Sequence, residues 1–264
     1  MFRWFACTLM PLVLKVFIFV SFVVNSDLPM CSRYLLLEKH YRAMLQRLGI
    51  ASPPAYVSRY NIAPNTLIPA VRTAPGESAP SVDFLRWGLV PAWSKTADGP
   101  PLINARADSV TTKPSFRQAV RSRRCVIPAS GFYEWLTVGR TKKPWLIQRK
   151  DQEPFGLAGL WETWHGPNDS FLESCAIITT DPNDVMRPIH DRMPVMLSPE
   201  DCQKWLSAEE LSTEKISSLL APPSPESISA TAVSQHMSNV RNDDPRCIAP
   251  AEVDEQGPQL SLGL

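Results

Sequence analysis

The sequence predicts an α+β fold with a largely antiparallel or mixed sheet and a few short peripheral helices. Three observations carry this. Strand-like segments outnumber helical ones and follow no βαβ rhythm. Prolines are frequent, 26 against 11 glycines, so many connections are stiff and irregular. A chain of 264 residues that is 44% hydrophobic and 20% charged can build an ordinary core, which excludes wholesale disorder, collagen and a coiled coil.

Each element has a local reason. Residues 35–48 place Leu36, Met44, Leu45 and Leu48 near one helical face, and Gly49 is a natural stop. Residues 60–64 read as irregular, with prolines again at 69 and 75, and residues 83–90 read as a strand. Residues 115–124 are a short helix with Ser115 near its start, and 125–127 a buried strand. Segments 132–138, 143–149 and 155–164 alternate or run apolar and are rich in aromatic residues, with Gly139 and Gly166 at turns. Residues 175–180 form a buried strand. Ser198-Pro199-Glu200-Asp201 opens a helix through Leu206, with proline at the first helical position. A second short helix spans 213–220, and a strand 228–233.

The organisation is one domain over residues 30–250, flanked by an apolar extension (1–29) and a loose tail (251–264). Residues 9–24 are apolar apart from Lys15 and Ser21, with Arg3 ahead of them. Taken literally this is a secretory signal or a membrane anchor. The alternative is that the protein starts at Met30, after which no targeting signal follows; that start implies a cytoplasmic protein without a membrane partner.

Net charge is +1, but it is unevenly spread. Residues 104–150 hold eleven Lys and Arg against two Asp and Glu, a candidate polyanion surface. Charge pairing within the fold explains such a block equally well. Six cysteines form no CxxC and none stands at metal-ligand spacing with a histidine, so no metal and no cofactor are expected.

Four segments set polar residues inside apolar or proline-rich surroundings: Met30-Cys31-Ser32-Arg33, Ile103-Asn104-Ala105-Arg106, Gly131-Phe132-Tyr133-Glu134-Trp135 and Ile189-His190-Asp191-Arg192-Met193-Pro194. Singly, each has a plain explanation, such as a buried thiol, a turn asparagine or a structural histidine. Together with Arg59-Tyr60-Asn61-Ile62-Ala63-Pro64, Arg86-Trp87-Gly88-Leu89-Val90-Pro91, Lys113-Pro114-Ser115-Phe116 and Gly159-Leu160-Trp161-Glu162, in this order, the chain resembles the SOS response-associated peptidase (SRAP) family over about residues 30–250. That family cross-links covalently to abasic sites in DNA. The chain departs from it in two ways. The family usually has glycine where this chain has Ser32, and its cysteine follows the initiator methionine directly.

The resemblance implies a chemistry that a terminal cysteine alone can perform. An α-amine, with a pKa of about 7.7–8.0, is partly unprotonated at neutral pH and attacks the aldehyde of a ring-opened abasic sugar. The thiol of the same residue then closes a thiazolidine. An internal cysteine has only an amide nitrogen, which is why Met30 as the start outweighs the signal-peptide reading. By resemblance Cys31 is the nucleophile, Asn104 holds its terminus, Glu134 shuttles protons and His190 assists ring opening. Arg106 and Arg192 are expected to grip phosphates, and Trp87 to stack on bases, with Asn61 and Pro64 also on the DNA side. Trp93 is a second stacking candidate, but is expected in the core. Arg117, Arg121, Arg123, Arg124, Lys142 and Lys143 would add phosphate attraction. The partner implied is single-stranded DNA with abasic sites, bound by a monomer. Lyase-type chemistry and peptidase self-processing of Met30 are implied alongside. The alternatives are a thiol peptidase using Cys31 and His190, a non-catalytic binder of modified or single-stranded DNA, and an exported protein of other function.

Overall fold

In a computed structural model the described residues are 31–74, 76–77 and 79–252, so the expectations for residues 1–29 and for most of the tail lie outside them. The strands are β1 (Arg33–Leu36), β2 (Arg59–Ile62), β3 (Leu67–Arg72), β4 (Ser81–Trp87), β5 (Asn104–Arg106), β6 (Arg124–Ala129), β7 (Gly131–Val138), β8 (Thr141–Arg149), β9 (Phe155–His165), β10 (Phe171–Thr180), β11 (Met193–Pro194), β12 (Met196–Leu197) and β13 (Ile228–Ala232). The helices are α1 (Glu38–Arg47), α2 (Ala119–Ser122), α3 (Pro199–Trp205) and α4 (Thr213–Leu219). The α+β class with short peripheral helices is as the sequence predicts.

Two sheets form. One runs β13-β8-β7-β1-β2, all antiparallel. In the other, β3 pairs β4 and β6, β6 pairs β9, β9 pairs β10, and β10 returns to β4 in parallel. That ring of pairings closes a small mixed barrel, which removes free strand edges. Its interior holds Ile68, Ala70, Leu85, Trp87, Cys125, Cys175 and Ile177, all buried and on one face by register. Strand β5 docks in parallel on the C-terminal half of β10, with Asn104 opposite Ile177 and Arg106 opposite Thr179.

Local chemistry explains the boundaries. Helix α3 is capped by the Ser198 hydroxyl, which accepts the Asp201 N–H, with Pro199 in the first turn. Helix α4 repeats the device with Ser212 and the Lys215 N–H. The first helix is shorter than its periodicity suggests, because Leu35 and Leu36 belong to β1, held between β7 and β2. The expected helix at 115–124 shrinks to one turn, since Arg124 already opens β6. Residues 59–62 are a strand, not irregular, because β1 offers them a ladder. Pro69 sits inside β3 opposite Phe84. The sheet tolerates it because on its other side β3 pairs β6 only at Val71. Five free cysteines are all buried among the described residues. No helix of the described residues is long and apolar enough to cross a membrane.

Candidate active site

Strand β7 carries the first functional side chain. Phe132 joins the main core, while Tyr133 and Trp135 join a second cluster with Val233, Met237 and Cys247. Strand alternation therefore turns Glu134 to the same face as Phe132, toward the cluster that contains Cys31. Gly131 lets β7 lie this close to its neighbours. A Cβ there would meet the Ile147 carbonyl oxygen and a Leu35 methyl at 2.9 Å. The β1–β7 ladder runs antiparallel with Arg33 opposite Tyr133. Just before it, Cys31 adopts a left-handed φ of 48° and its backbone nitrogen donates to Glu134 Oε1 at 2.7 Å. Ser32 is not among the residues with positive φ, so serine fits where the family resemblance has glycine.

Both groups are buried, and burial sets their protonation. Glu134 is pushed up to about 8, chiefly by desolvation and also by the nearby Asp191 carboxylate, against the hydrogen bonds from Cys31 and Trp135. The Cys31 thiol is driven well up, first by burial and then by Glu134. His190 lies on the segment before β11, half-buried, with Nδ1 2.8 Å from Asp191 Oδ1. Burial lowers its pKa, Asp191 opposes that, and Lys142 on the β7–β8 hairpin adds to it.

The second half of the site meets at the end of β10. The Thr179 carbonyl accepts the Ala107 N–H at 2.8 Å and Arg192 Nη2 at 2.7 Å, tying the β5 segment to the His190–Arg192 segment. Cys31 thus contacts Glu134, the Asp191 charge acts on Glu134, and Asp191 contacts His190. Its neighbour Arg192 carries the contacts onward through Thr179 to the strand that holds Asn104 and Arg106. Arg106 is exposed and makes no ion pair among the described residues. Asn104 opens β5 and is half-buried.

Several expectations are corrected by packing. Trp87, expected to stack on bases, is fully buried: its indole donates to the Ile103 carbonyl at 3.0 Å and meets Tyr34 edge-on. Trp93, expected in the core, is 67% exposed on the loop between β4 and β5, whose backbone is pinned where Ser94 O accepts Trp164 Nε1 at 2.8 Å. Asn61 is buried, with Nδ2 directed to the carbonyls of Met237, Asn239 and Asn242. It fastens the C-terminal segment. Pro64 is half-buried at the β2–β3 turn. Arg192, expected at a phosphate, has a side chain only 7% exposed and is taken up by Asp181 at 3.1 Å, Asp108 at 3.6 Å and Thr179. The basic block divides likewise. Arg124 is buried among backbone carbonyls and Arg123 pairs with Glu162, whereas Lys113, Arg117, Lys142 and Lys143 are exposed.

Sequence reasoning missed Arg33. It is buried at the start of β1 opposite Tyr133, makes no ion pair among the described residues, and its Nε has no hydrogen-bond partner there. A ligand-like trio also escaped the spacing argument. Donor atoms of His236, Asp244 and Cys247 lie within 4.8 Å of one another. They are already engaged: Asp244 by Arg246 and His236, and Cys247 by the Asn242 carbonyl.

The comparisons with known proteins agree with this layout. The chain is 37% identical over 224 residues to abasic site processing protein YoqW of Bacillus subtilis, covering 83% of this chain and 99% of that one. It is 32% identical over 239 residues to abasic site processing protein HMCES of Rattus norvegicus, covering 76% and 67%. Among solved structures, a protein from Bacteroides thetaiotaomicron superposes with a TM-score of 0.74 at 27% identity, over 84% of this chain and all of that one. The model of the SOS response associated peptidase (SRAP) family matches residues 30–240, and with these relatives it shows that the chain belongs to that family.

Proposed function

We propose that this protein processes abasic sites in single-stranded DNA by bonding to them through the α-amine and thiol of Cys31, once the residues before it are gone. The observation that carries the reading is the 2.7 Å contact between the Cys31 nitrogen and the buried Glu134 carboxyl. With Cys31 at the terminus, that nitrogen is an amine of ordinary pKa about 7.7–8.0, and the 2.7 Å contact with the Glu134 carboxyl, which burial pushes upward, gives a direct route for proton exchange between the two. The free amine adds to the aldehyde carbon, and loss of one water gives the imine. The thiol sulfur then adds to the imine carbon while its proton passes to nitrogen, closing the thiazolidine. His190 serves proton transfer at the sugar oxygens. Arg106 attracts the backbone outside, and Trp93 offers the exposed ring for base stacking.

A thiol peptidase needs a thiolate, and here burial and Glu134 both oppose one. An amine-first order with a neutral thiol following suits the site better. The test is a chain beginning at Cys31 incubated with a single strand carrying an abasic site. A denaturation-resistant adduct is expected, none with intact strands, and none that persists with Cys31→Ser. Equal adduct on DNA whose abasic aldehyde has been chemically reduced would overturn the reading.

A further inference from the structure

We propose that the Ser32 hydroxyl is a substrate contact: it donates a hydrogen bond to the carbonyl oxygen of the ring-opened sugar while the Cys31 nitrogen bonds to the carbon. The inference rests on the function proposed above. It adds a residue by which this chain differs from its family, which usually has glycine there.

Ser32 is 1% exposed, yet its Oγ has no hydrogen-bond partner among the described residues. A buried hydroxyl is ordinarily paired, so an idle one marks a place where a partner arrives. The strand register says where that place is. Arg33 pairs Tyr133 and Tyr34 pairs Phe132, so one step back along the chain Ser32 comes opposite Glu134. Residues opposite each other in an antiparallel pair lie on the same face. Ser32 and Glu134 thus share the face of Tyr34 and Phe132, which belong to the core cluster of Cys31. The Cys31 nitrogen is held at Glu134 by its 2.7 Å contact with Oε1. On the other side of Glu134, β8 sets Trp145 directly opposite, and its indole nitrogen is also buried without a partner among the described residues. The carboxyl that serves the Cys31 nitrogen therefore stands between two residues with spare donors, which suits a ligand that brings acceptor oxygens.

The reacting sugar brings such an oxygen next to Cys31. When the amine adds to the aldehyde, the N–C bond forms and the π pair of the C=O bond moves onto oxygen. Glu134 carries one proton from the nitrogen to that oxygen, which gives the carbinolamine hydroxyl. A second proton moved the same way lets it leave as water and leaves the imine. The oxygen lies two bonds from the Cys31 nitrogen, and Ser32 is the next residue, its Cα about 3.8 Å from that of Cys31. A hydroxyl there meets the negative charge that grows on oxygen in a buried site, where a donor already in place counts most. Ser32 keeps its own proton throughout. It stabilises the charge and transfers nothing. Glycine at this position has no side-chain donor to offer.

The experiment compares chains beginning at Cys31, as wild type, Ser32→Ala and Ser32→Gly. Borohydride trapping reads the rate of imine formation on a single strand with an abasic site. Urea unfolding and affinity for an undamaged strand are measured beside it. Ser32→Ala should form the trapped imine about tenfold more slowly, the loss of one hydrogen bond to a developing charge. Ser32→Gly should slow the same step. Affinity of Ser32→Ala for the undamaged strand, which has no aldehyde, should stay within about twofold of wild type. Its unfolding midpoint should be unchanged or raised, because the substitution removes a buried hydroxyl that nothing in the fold pairs. Slowing of imine formation by less than about threefold overturns the proposal. A lowered midpoint in Ser32→Ala overturns it too, since the hydroxyl would then be paired within the fold. So does weakened binding of the undamaged strand, which would place the hydroxyl on the DNA backbone instead. A wild type that gives no trapped imine refutes the proposed function and this inference with it, whereas a reactive wild type matched by an equally reactive Ser32→Ala refutes the inference alone.

Discussion

Two tryptophans exchange the places expected of them, and this is testable through opposite effects on stability and affinity. Trp87 is fully buried and its indole N–H bonds the Ile103 carbonyl. Trp87→Phe removes the indole's bond to a carbonyl that still accepts the Ile177 N–H, costing about 0.5–1.5 kcal/mol, and opens a void besides; a total of about 2–4 kcal/mol is expected. Trp93 is 67% exposed. Trp93→Ala should change stability by no more than about 0.5 kcal/mol, but it removes a stacking ring worth about 1–3 kcal/mol to a single strand. That is a loss of roughly 5- to 150-fold in affinity. Urea unfolding reads the first quantity. Fluorescence anisotropy of a labelled, undamaged single strand at fixed salt reads the second. The reasoning is refuted if Trp93→Ala binds within twofold of wild type. It is equally refuted if Trp87→Phe loses affinity while its unfolding midpoint stays put.

Three other outcomes follow from the geometry. Arg106→Ala should flatten the salt dependence of single-strand binding by about 0.7 in the log–log slope, one phosphate's share; an unaltered slope in binding titrations from 50 to 200 mM salt would remove Arg106 from the interface. Because Glu134 titrates near 8 in the fold against 4.5 ordinarily, its contribution to stability is full below about pH 4.5 and is lost as pH rises to 8, at up to about 1.4 kcal/mol per pH unit. Relative to wild type, Glu134→Gln in the chain whose Cys31 nitrogen is still an amide should therefore gain stability between pH 5 and 8.5, and parallel unfolding curves would contradict the buried carboxylate. Asn61→Ala should cost about 1–3 kcal/mol in urea unfolding by freeing buried carbonyls, with single-strand affinity per folded molecule unchanged; a stable protein with weakened binding would return Asn61 to the DNA side.

Legibility from sequence followed the range of the forces involved. The strands β6 to β10 and the helices α3 and α4 were readable because alternation and serine caps are local signals. Strand β2 was not, since Arg59–Ile62 becomes a strand only when β1 arrives to pair with it. Nor was β3, where Pro69 masks a strand whose tolerance depends on which neighbour pairs on which side. At the site, the motifs led to Cys31 and Glu134, which do meet, though 103 positions apart. Burial is what the motifs conceal. Trp87 and Trp93 stand six positions apart in one segment, yet the barrel swallows one ring and the loop displays the other. Arg106 and Arg192 look alike in sequence, but only Arg192 finds carboxylates within reach, and it folds inward. The Arg33 side chain shows the converse: an unpaired buried charge is visible only once the surrounding groups are placed.

The central claim is that the Cys31 nitrogen and sulfur both bond to one sugar carbon. Intact mass spectrometry followed by fragmentation, on the adduct between a chain beginning at Cys31 and an abasic single strand, tests it most directly. The account predicts a mass equal to protein plus DNA less one water, with the modification on Cys31 and no adduct from a chain whose mass retains Met1. An adduct localised to an internal lysine, or a stable one formed by the chain that keeps Met1, would contradict it.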